Sequence, residues 1–536
     1  MTQPAEQRKH EVASPPRAAL RSPTGSGGDL VLYLLVFVGG AITMGTEMCA
    51  SRLLAPHCGT SLPVWGLLIG LLLTYLAIGS WAGGTLADLR PEASLLYRLA
   101  AWAGFFVGCV PFVSRPVLRL VAGGLGSSSA GTVVGVLLGM LALFALPVTL
   151  LGCISPFALR LCLKDRLSGG NVAGRVSALS TLGSLLGTFG TVFWLIPTLG
   201  TRLSLFVLAL GVLLVAIIGL LKTAPRRGSL LYLILVVVLL VLQLIPPGAI
   251  KDIQGLIYEQ DTAYNYLQVI QDGEEILLKL NEGEGIQSTY RPGRIISGYV
   301  FDYFLLVPFF RTVQPSSWVS SLCLIGLAGG TSAQQYSAVF GAIPIDGVEI
   351  DPAVAEAGRR FMGLNLPNLN VVIADGRYYL THSEKRYDVI LLDAYNPPYI
   401  PFHLTTAEFF QQVHDHQTEN GVLGINVARV EADSTLVSAI ATTVRSVYPS
   451  VYVMETQGGQ NSVVVASRQP GDMTTITARL ASLTDPVLSD VAARANGRIR
   501  EAGAAEAFVL TDDHAPVESM VHAMIARYIL HSLIPR

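Results

Sequence analysis

Apolar residues follow two different rules along this 536-residue chain. Between residues 30 and 246 they run in long blocks; after residue 251 they fall into short blocks separated by polar turns. A helix needs about 20 apolar residues to cross a hydrocarbon layer about 30 Å thick. Seven stretches qualify, near 30–49, 64–84, 95–113, 132–153, 177–197, 203–221 and 229–245. They predict an all-α membrane helix bundle of about seven spans over 29–247. The Pro-, Ser-, Gly- and Arg-rich segment 1–28 before it has the composition of a disordered tail.

The second region reads differently. Residues 266–281 are two alternating strands around Asp272-Gly273, a strong hairpin signal, and predict a small β region over 252–310. Strand-like runs then alternate with helical stretches, at 322–327, 345–350, 370–373, 387–392 and 421–427. A last strand pair falls near 451–455 and 462–466. Repeated strand–helix units predict a parallel, doubly wound α/β domain, Rossmann-like in the class I methyltransferase manner, over 315–470. Residues 471–536 read as mostly helical.

Composition sharpens this division. Only 14% of residues are charged and 51% are hydrophobic, where soluble proteins carry roughly 25% charge. The net charge of −2 averages two solvents and offers no basic footprint for nucleic acid. Five of the six cysteines lie in the apolar half, with no CxxC or Cys/His cluster, so neither a metal site nor a disulfide framework is expected.

Loop charge predicts orientation. Arg8, Lys9, Arg17 and Arg21 precede the first span; Arg90 and Arg98 follow the second; Arg160, Lys164, Arg166 and Arg175 follow the fourth; Lys222, Arg226 and Arg227 follow the sixth. The intervening loops hold Arg52, Arg115, Arg119 and Arg202. A cytoplasmic N-terminus follows, and seven spans then place the C-terminal half on the other face. An extra helix within 114–131 would reverse that. Glu47, Arg52 and His57 at the first span suggest either a polar solute path or an interfacial ion pair. Gly183 and Gly187 form a GxxxG pair suited to close helix packing.

Doubly wound sheets bind ligands at the carboxyl ends of their strands. Four strand ends here carry suitable residues. The glycines Gly326, Gly329 and Gly330 follow the first strand and open a helix, where backbone amides can approach a ligand. Glu349 follows about 20 residues later, the spacing at which an acid reaches ribose hydroxyls. Asp375-Gly376 follows the third strand, where the carboxylate can accept from an adenine amino group. Asp393 ends the apolar run 389–392, where burial raises a carboxyl pKa.

These residues resemble the spermidine synthase (polyamine aminopropyltransferase) family, in its variant fused to an N-terminal membrane bundle. The resemblance spans 257–468. It implies nucleoside binding by Gly326, Gly330, Glu349, Asp375, Gly376 and Gln287, the last within the element Ile286-Gln287-x-Thr289, and catalysis by Asp393. It assigns Asn265, Asp302 and Asn396 to the substrate. The implied reaction moves an aminopropyl group from decarboxylated S-adenosylmethionine, a co-substrate, to a diamine such as putrescine. No permanent cofactor and no metal are expected. The expected partners are polyamine and nucleoside substrates and a lipid bilayer, with a homo-oligomer left open, in a multi-pass protein of the cell membrane. Two positions depart from the pattern. Gly329 stands where the family has an Asp for the donor's ammonium, and Asn396 where it has an Asp for the acceptor. Asp512 and Asp513 are candidates to replace them. Two rival readings fit the same residues: an S-adenosylmethionine-dependent methyltransferase, and a transporter with a nucleoside- or polyamine-sensing domain.

Overall fold

The computed structural model describes residues 27–58, 62–124, 129–163, 169–245, 253–262, 264–281, 285–311, 318–395, 399–429, 433–503 and 507–533. The segment 1–26 and Asn396 therefore lie outside the described residues, as do the side chains of His57, Arg115 and Arg119.

The apolar half is helical: α1 (Gly27–Cys58), α2 (Leu62–Leu89), α3 (Ala93–Gly124), α4 (Ser129–Gly152), α5 (Ile154–Cys162), α6 (Gly169–Gly190), α7 (Ile196–Thr223), α8 (Arg226–Leu230) and α9 (Leu233–Gln243). Among the described residues six helical stretches are long and apolar enough to cross a membrane, one fewer than predicted. The stretch Gly169–Thr223 accounts for the difference, because it contains two predicted segments and counts once at 55 residues. At 1.5 Å per residue a straight helix of that length would measure about 80 Å, far beyond a bilayer core. Gly200, within α7, breaks it: its φ of 76° and ψ of 170° are not helical, so the stretch divides there into two arms, 169–199 and 201–223.

Close packing sets the bundle's geometry. A Cβ on Gly183 or Gly187 would overlap the backbone carbonyls of Phe37 and Ala41, so α1 and α6 touch at backbone distance. Glu47 is buried in this bundle. Arg52, further along α1, emerges to meet the C-terminal half: its guanidinium lies 3.7 Å from Asp261 and donates to the Thr262 carbonyl. Thr201, at the start of the second arm, donates to the same Asp261 at 3.2 Å. The interfacial ion-pair reading of Arg52 thus has a definite partner. Asp88 and Arg160, 2.6 Å apart, tie α2 to α5 at the other end.

The C-terminal half holds two sheets. The first is a four-stranded antiparallel sheet in the order β1 (Leu256–Asp261), β2 (Tyr266–Asp272), β3 (Glu275–Leu280), β4 (Ile286–Tyr290). Asp272 pairs with Glu275 across the predicted turn, and Gly273 supplies its positive φ. The second has eight strands: β5 (Leu322–Ile325), β6 (Ile345–Glu349), β7 (Leu369–Ile373), β8 (Tyr387–Leu392), β9 (Gln417–Ala428), β10 (Ser450–Glu455), β11 (Asn461–Ser467) and β12 (Ile499–Glu501). Their order is β12-β10-β11-β9-β8-β5-β6-β7.

β5 to β9 pair in parallel, and their centre is a continuous apolar run because both faces are covered. The expectation of a parallel sheet holds only for these strands. β10, β11 and β12 pair antiparallel, so the sheet is mixed. The tight return between β10 and β11 forces the direction of that pair, since a parallel partner needs a crossover of a dozen residues or more. β12 lies in the segment predicted to be mostly helical and extends this edge.

Register fixes the functional edge. Ile325 of β5 stands opposite Val348 of β6 and Leu392 of β8. The residues directly following these positions are Gly326, Glu349 and Asp393. Three neighbouring strand ends thus deliver a turn and two acids to one place.

Candidate active site

Gly326 needs its missing side chain twice over. Its φ is 91°, and a Cβ there would overlap the backbone of Asp393 and Ala394. The Asp393 N–H donates to the Ile325 carbonyl at 2.8 Å. The glycine turn and the candidate catalytic acid are therefore in backbone contact. Gly330 does not line the cleft described below; it adopts φ 89° as the cap residue that starts the helix Thr331–Phe340. The small sheet clamps this turn from outside. Ser288 Oγ accepts from the Gly329 N–H at 2.8 Å, and Thr331 Oγ1 bridges the backbone N–H and carbonyl of Thr289 at 2.9 and 2.8 Å.

Glu349 is 8% exposed and its two oxygens are engaged separately. One accepts from the Ala328 N–H at 2.9 Å, the other from the Asp351 N–H at 3.1 Å. Burial pushes its carboxyl up to about 6, against the opposing pull of those N–H groups. Asp375 caps the helix Gly376–His382, accepting from Arg377 and Tyr378 N–H at 2.9 and 3.0 Å. Its other oxygen is 2.9 Å from His403 Nε2. That contact, with the two backbone bonds, holds the Asp375 carboxyl below the usual range.

Glu349, Asp375, Gly376, Gln287, Gly326, Asn265 and Asp393 line one cleft of about 190 Å³. Asn265 is also structural: its amide donates to Asp351 at 3.1 Å and accepts from Asn281 at 3.0 Å. A second cavity of about 500 Å³ lies beyond. Gln287, Asp393 and Tyr395 line both, so Asp393 stands on their common wall.

Burial drives the Asp393 carboxyl up to about 6, moderated by Asn426, whose Nδ2 donates to it at 2.8 Å. Asn461 Nδ2 in turn donates to Asn426 Oδ1 at 2.9 Å. The Tyr395 hydroxyl donates to the Asn426 carbonyl at 3.0 Å and accepts from the Ala428 N–H at 2.7 Å. A two-amide relay and a tyrosine bridge thus aim Asp393. None of these partners carries a sequence signature, and neither does His403.

Asp302 is placed elsewhere. Fully buried, it accepts from the Ser297 and Gly298 N–H groups, the Ser297 hydroxyl and Gln335, and pairs with Arg494 at 3.1 Å. It lines neither cavity and serves as a structural hub, which corrects its assignment to the substrate. Asp512 folds back to the Asp375 end, but Arg377 grips it through two bonds of 2.7 Å and Thr406 donates to it at 2.7 Å. Its charge is spent on that clamp rather than offered to an amine.

Gly329 cannot simply be returned to aspartate. A Cβ there would overlap Met362 Sδ and crowd Ser288. Gly329→Asp is expected to destabilise the fold by about 1–3 kcal/mol through overpacking, seen as a lowered melting temperature.

Fold and site together define an α/β cleft at the strand ends with a carboxylate shared between two cavities. Residues 339–467 match the spermine/spermidine synthase domain family. A probable polyamine aminopropyl transferase of Bifidobacterium longum is 28% identical over 290 residues, covering 50% of this chain and 63% of that protein. A polyamine aminopropyltransferase of Vibrio vulnificus is 29% identical over 203 residues, covering 37% of this chain and 66% of that protein. The chain thus spans slightly under two thirds of these relatives' length. A solved structure, a probable spermidine synthase from Corynebacterium glutamicum, aligns with a TM-score of 0.37 at 20% identity, over 48% of this chain and 98% of that one.

Proposed function

We propose that the C-terminal half transfers the aminopropyl group of decarboxylated S-adenosylmethionine to the nitrogen of an amine. The observation that carries this reading is the position of Asp393 between two cavities. In this reading the first holds the nucleoside, with Glu349 on the ribose and Asp375 towards the adenine. The second holds the acceptor.

An amine with a pKa of roughly 10 arrives protonated and has no lone pair to attack with. Asp393 accepts the proton and orients the nitrogen. The nitrogen lone pair forms a bond to the aminopropyl carbon next to the sulfonium. The carbon–sulfur bond breaks, its electron pair goes to sulfur, and neutral methylthioadenosine leaves. Burial that raises Asp393 narrows the gap to the amine and improves proton transfer. Glycine turn, Glu349 and Asp375 contribute alignment. The simplest acceptor for such a reaction is a diamine such as putrescine.

Methyl transfer from S-adenosylmethionine is the second reading, favoured by Gly329, which leaves the donor's ammonium without its usual carboxylate. Purified protein given both donors and a panel of amines separates the two. Methylthioadenosine supports the proposal. S-adenosylhomocysteine alone would replace it with methyl transfer, and neither product would leave a binding domain.

The N-terminal helices are proposed to span a cell membrane. Arg52 and Thr201 touch the C-terminal half, whereas Arg90 in the turn between α2 and α3, and Arg98, Arg160, Arg175, Lys222, Arg226 and Arg227 towards the ends of their helices, lie at the far end. The positive-inside rule then puts the C-terminal half opposite the cytoplasm. With other cysteines replaced, Thr474→Cys on an exposed helix is expected to react with an impermeant maleimide in intact cells. Protection until lysis would return this half to the cytoplasm, where the sulfonium donor is made.

A further inference from the structure

Charge in the second cavity constrains what can occupy it. A diamine caught by one nitrogen keeps its other nitrogen protonated at neutral pH. Burying that second ammonium without a counter-charge is unfavourable. A diamine site therefore needs a carboxylate at each end.

Among the described residues Asp393 is the only carboxylate lining this cavity. The other charged group on its wall is a cation, Arg494. Asp302, which pairs with that arginine and does not line the cavity, already accepts six hydrogen bonds. It cannot serve an ammonium without losing them. Arg494 is itself paired, at 3.1 Å with Asp302 and 3.2 Å with Asp490. It therefore supplies no counter-charge for a second ammonium and offers little unspent charge to a substrate carboxylate. The remaining polar lining is neutral: hydroxyls of Thr456 and three tyrosines, and the carboxamides of Gln287, Gln457, Gln460 and the pair Asn426 and Asn461. Carboxamides both donate and accept, and they suit hydroxyl or amide groups.

From this lining, and resting on the aminopropyl-transfer reading of the site, we infer that the acceptor is a primary amine whose other polar groups are uncharged, an amino alcohol or amino amide rather than a diamine. Its amine meets Asp393, and its neutral tail meets the carboxamides.

Three acceptors of one length test this on the full-length protein in detergent: 4-aminobutan-1-ol, 1,4-diaminobutane and 4-aminobutanoate. Calorimetric titration with methylthioadenosine present gives the order of affinity, whether or not turnover occurs. The amino alcohol is expected to bind about tenfold or more tighter than the diamine, the scale of one charged hydrogen bond left unmade. Gln457→Glu, which adds a carboxylate to the wall, is expected to move that ratio about tenfold towards the diamine. A diamine that binds as tightly as the alcohol in the unaltered protein, or an aminobutanoate that binds tightest, overturns the inference. So does failure of all three to bind. Methylthioadenosine release from decarboxylated S-adenosylmethionine is scored separately. Its absence with every acceptor counts against aminopropyl transfer, whereas the binding order alone decides the acceptor class.

Discussion

Asp393→Asn is expected to lower the transfer rate by about 10²–10⁴-fold, the range a positioned general base supplies. The geometry should survive, because asparagine still offers an oxygen to Asn426 Nδ2. Stability should move the other way. The folded protein holds Asp393 at about 6 against an ordinary 3.8. Its ionised form is disfavoured by folding, so the cost is fully present above pH about 6 and absent below the unfolded value. The asparagine variant is therefore expected to be more stable by about 1–3 kcal/mol at pH 8, with the gain gone near pH 4. Denaturant melts at the two pH values check this. The unaltered enzyme's rate should rise with pH through about 6 as Asp393 ionises. A variant with normal turnover would remove Asp393 from the chemistry; equal stability at both pH values would show that its carboxyl is not desolvated.

Glu349→Gln is expected to weaken donor binding about 10- to 100-fold with a smaller change in maximal rate. Hydrogen bonds to a charged acceptor contribute about 1.5–3 kcal/mol, and ribose hydroxyls would find a neutral amide instead. The loss has a second source. Glu349 accepts backbone N–H groups on both oxygens, from Ala328 and Asp351. Glutamine would turn its NH₂ towards one of them, loosening either the glycine turn or the start of the next helix. Donor KM should climb, and nucleoside affinity in the unaltered enzyme should fall as pH drops through about 6, where Glu349 protonates. An unchanged donor KM would place the ribose elsewhere.

Much of the cleft was legible because doubly wound sheets put chemistry immediately after apolar strands. Glu349, Asp375 and Asp393 each follow such a run, and the structure gathers all three around one cleft. Their partners were not legible. His403 meets Asp375 across 28 residues, Asn426 meets Asp393 across 33, and Arg494 meets Asp302 across 192. Nothing local marks an asparagine inside a strand or an arginine on a helix as part of a site. Asp302 shows the opposite failure, since its family position suggested substrate while its neighbours consume every lone pair. In the sheet, periodicity recovered β5 to β9 because parallel core strands are uniformly apolar. It could not give the direction of β10 and β11, which loop length decides. The segments 177–197 and 203–221 were separable by hydropathy, yet only Gly200's backbone shows where they part.

Tyr395, Gln287 and Asp393 belong to both chambers, so a single layer of side chains divides them. Within the proposed reaction, no group there stores the travelling fragment while one guest departs and the next enters. Both guests must be resident when the bond changes hands. Initial-velocity plots against one at fixed levels of the other should therefore form a fan of intersecting lines, and inverted configuration at a labelled carbon should accompany it.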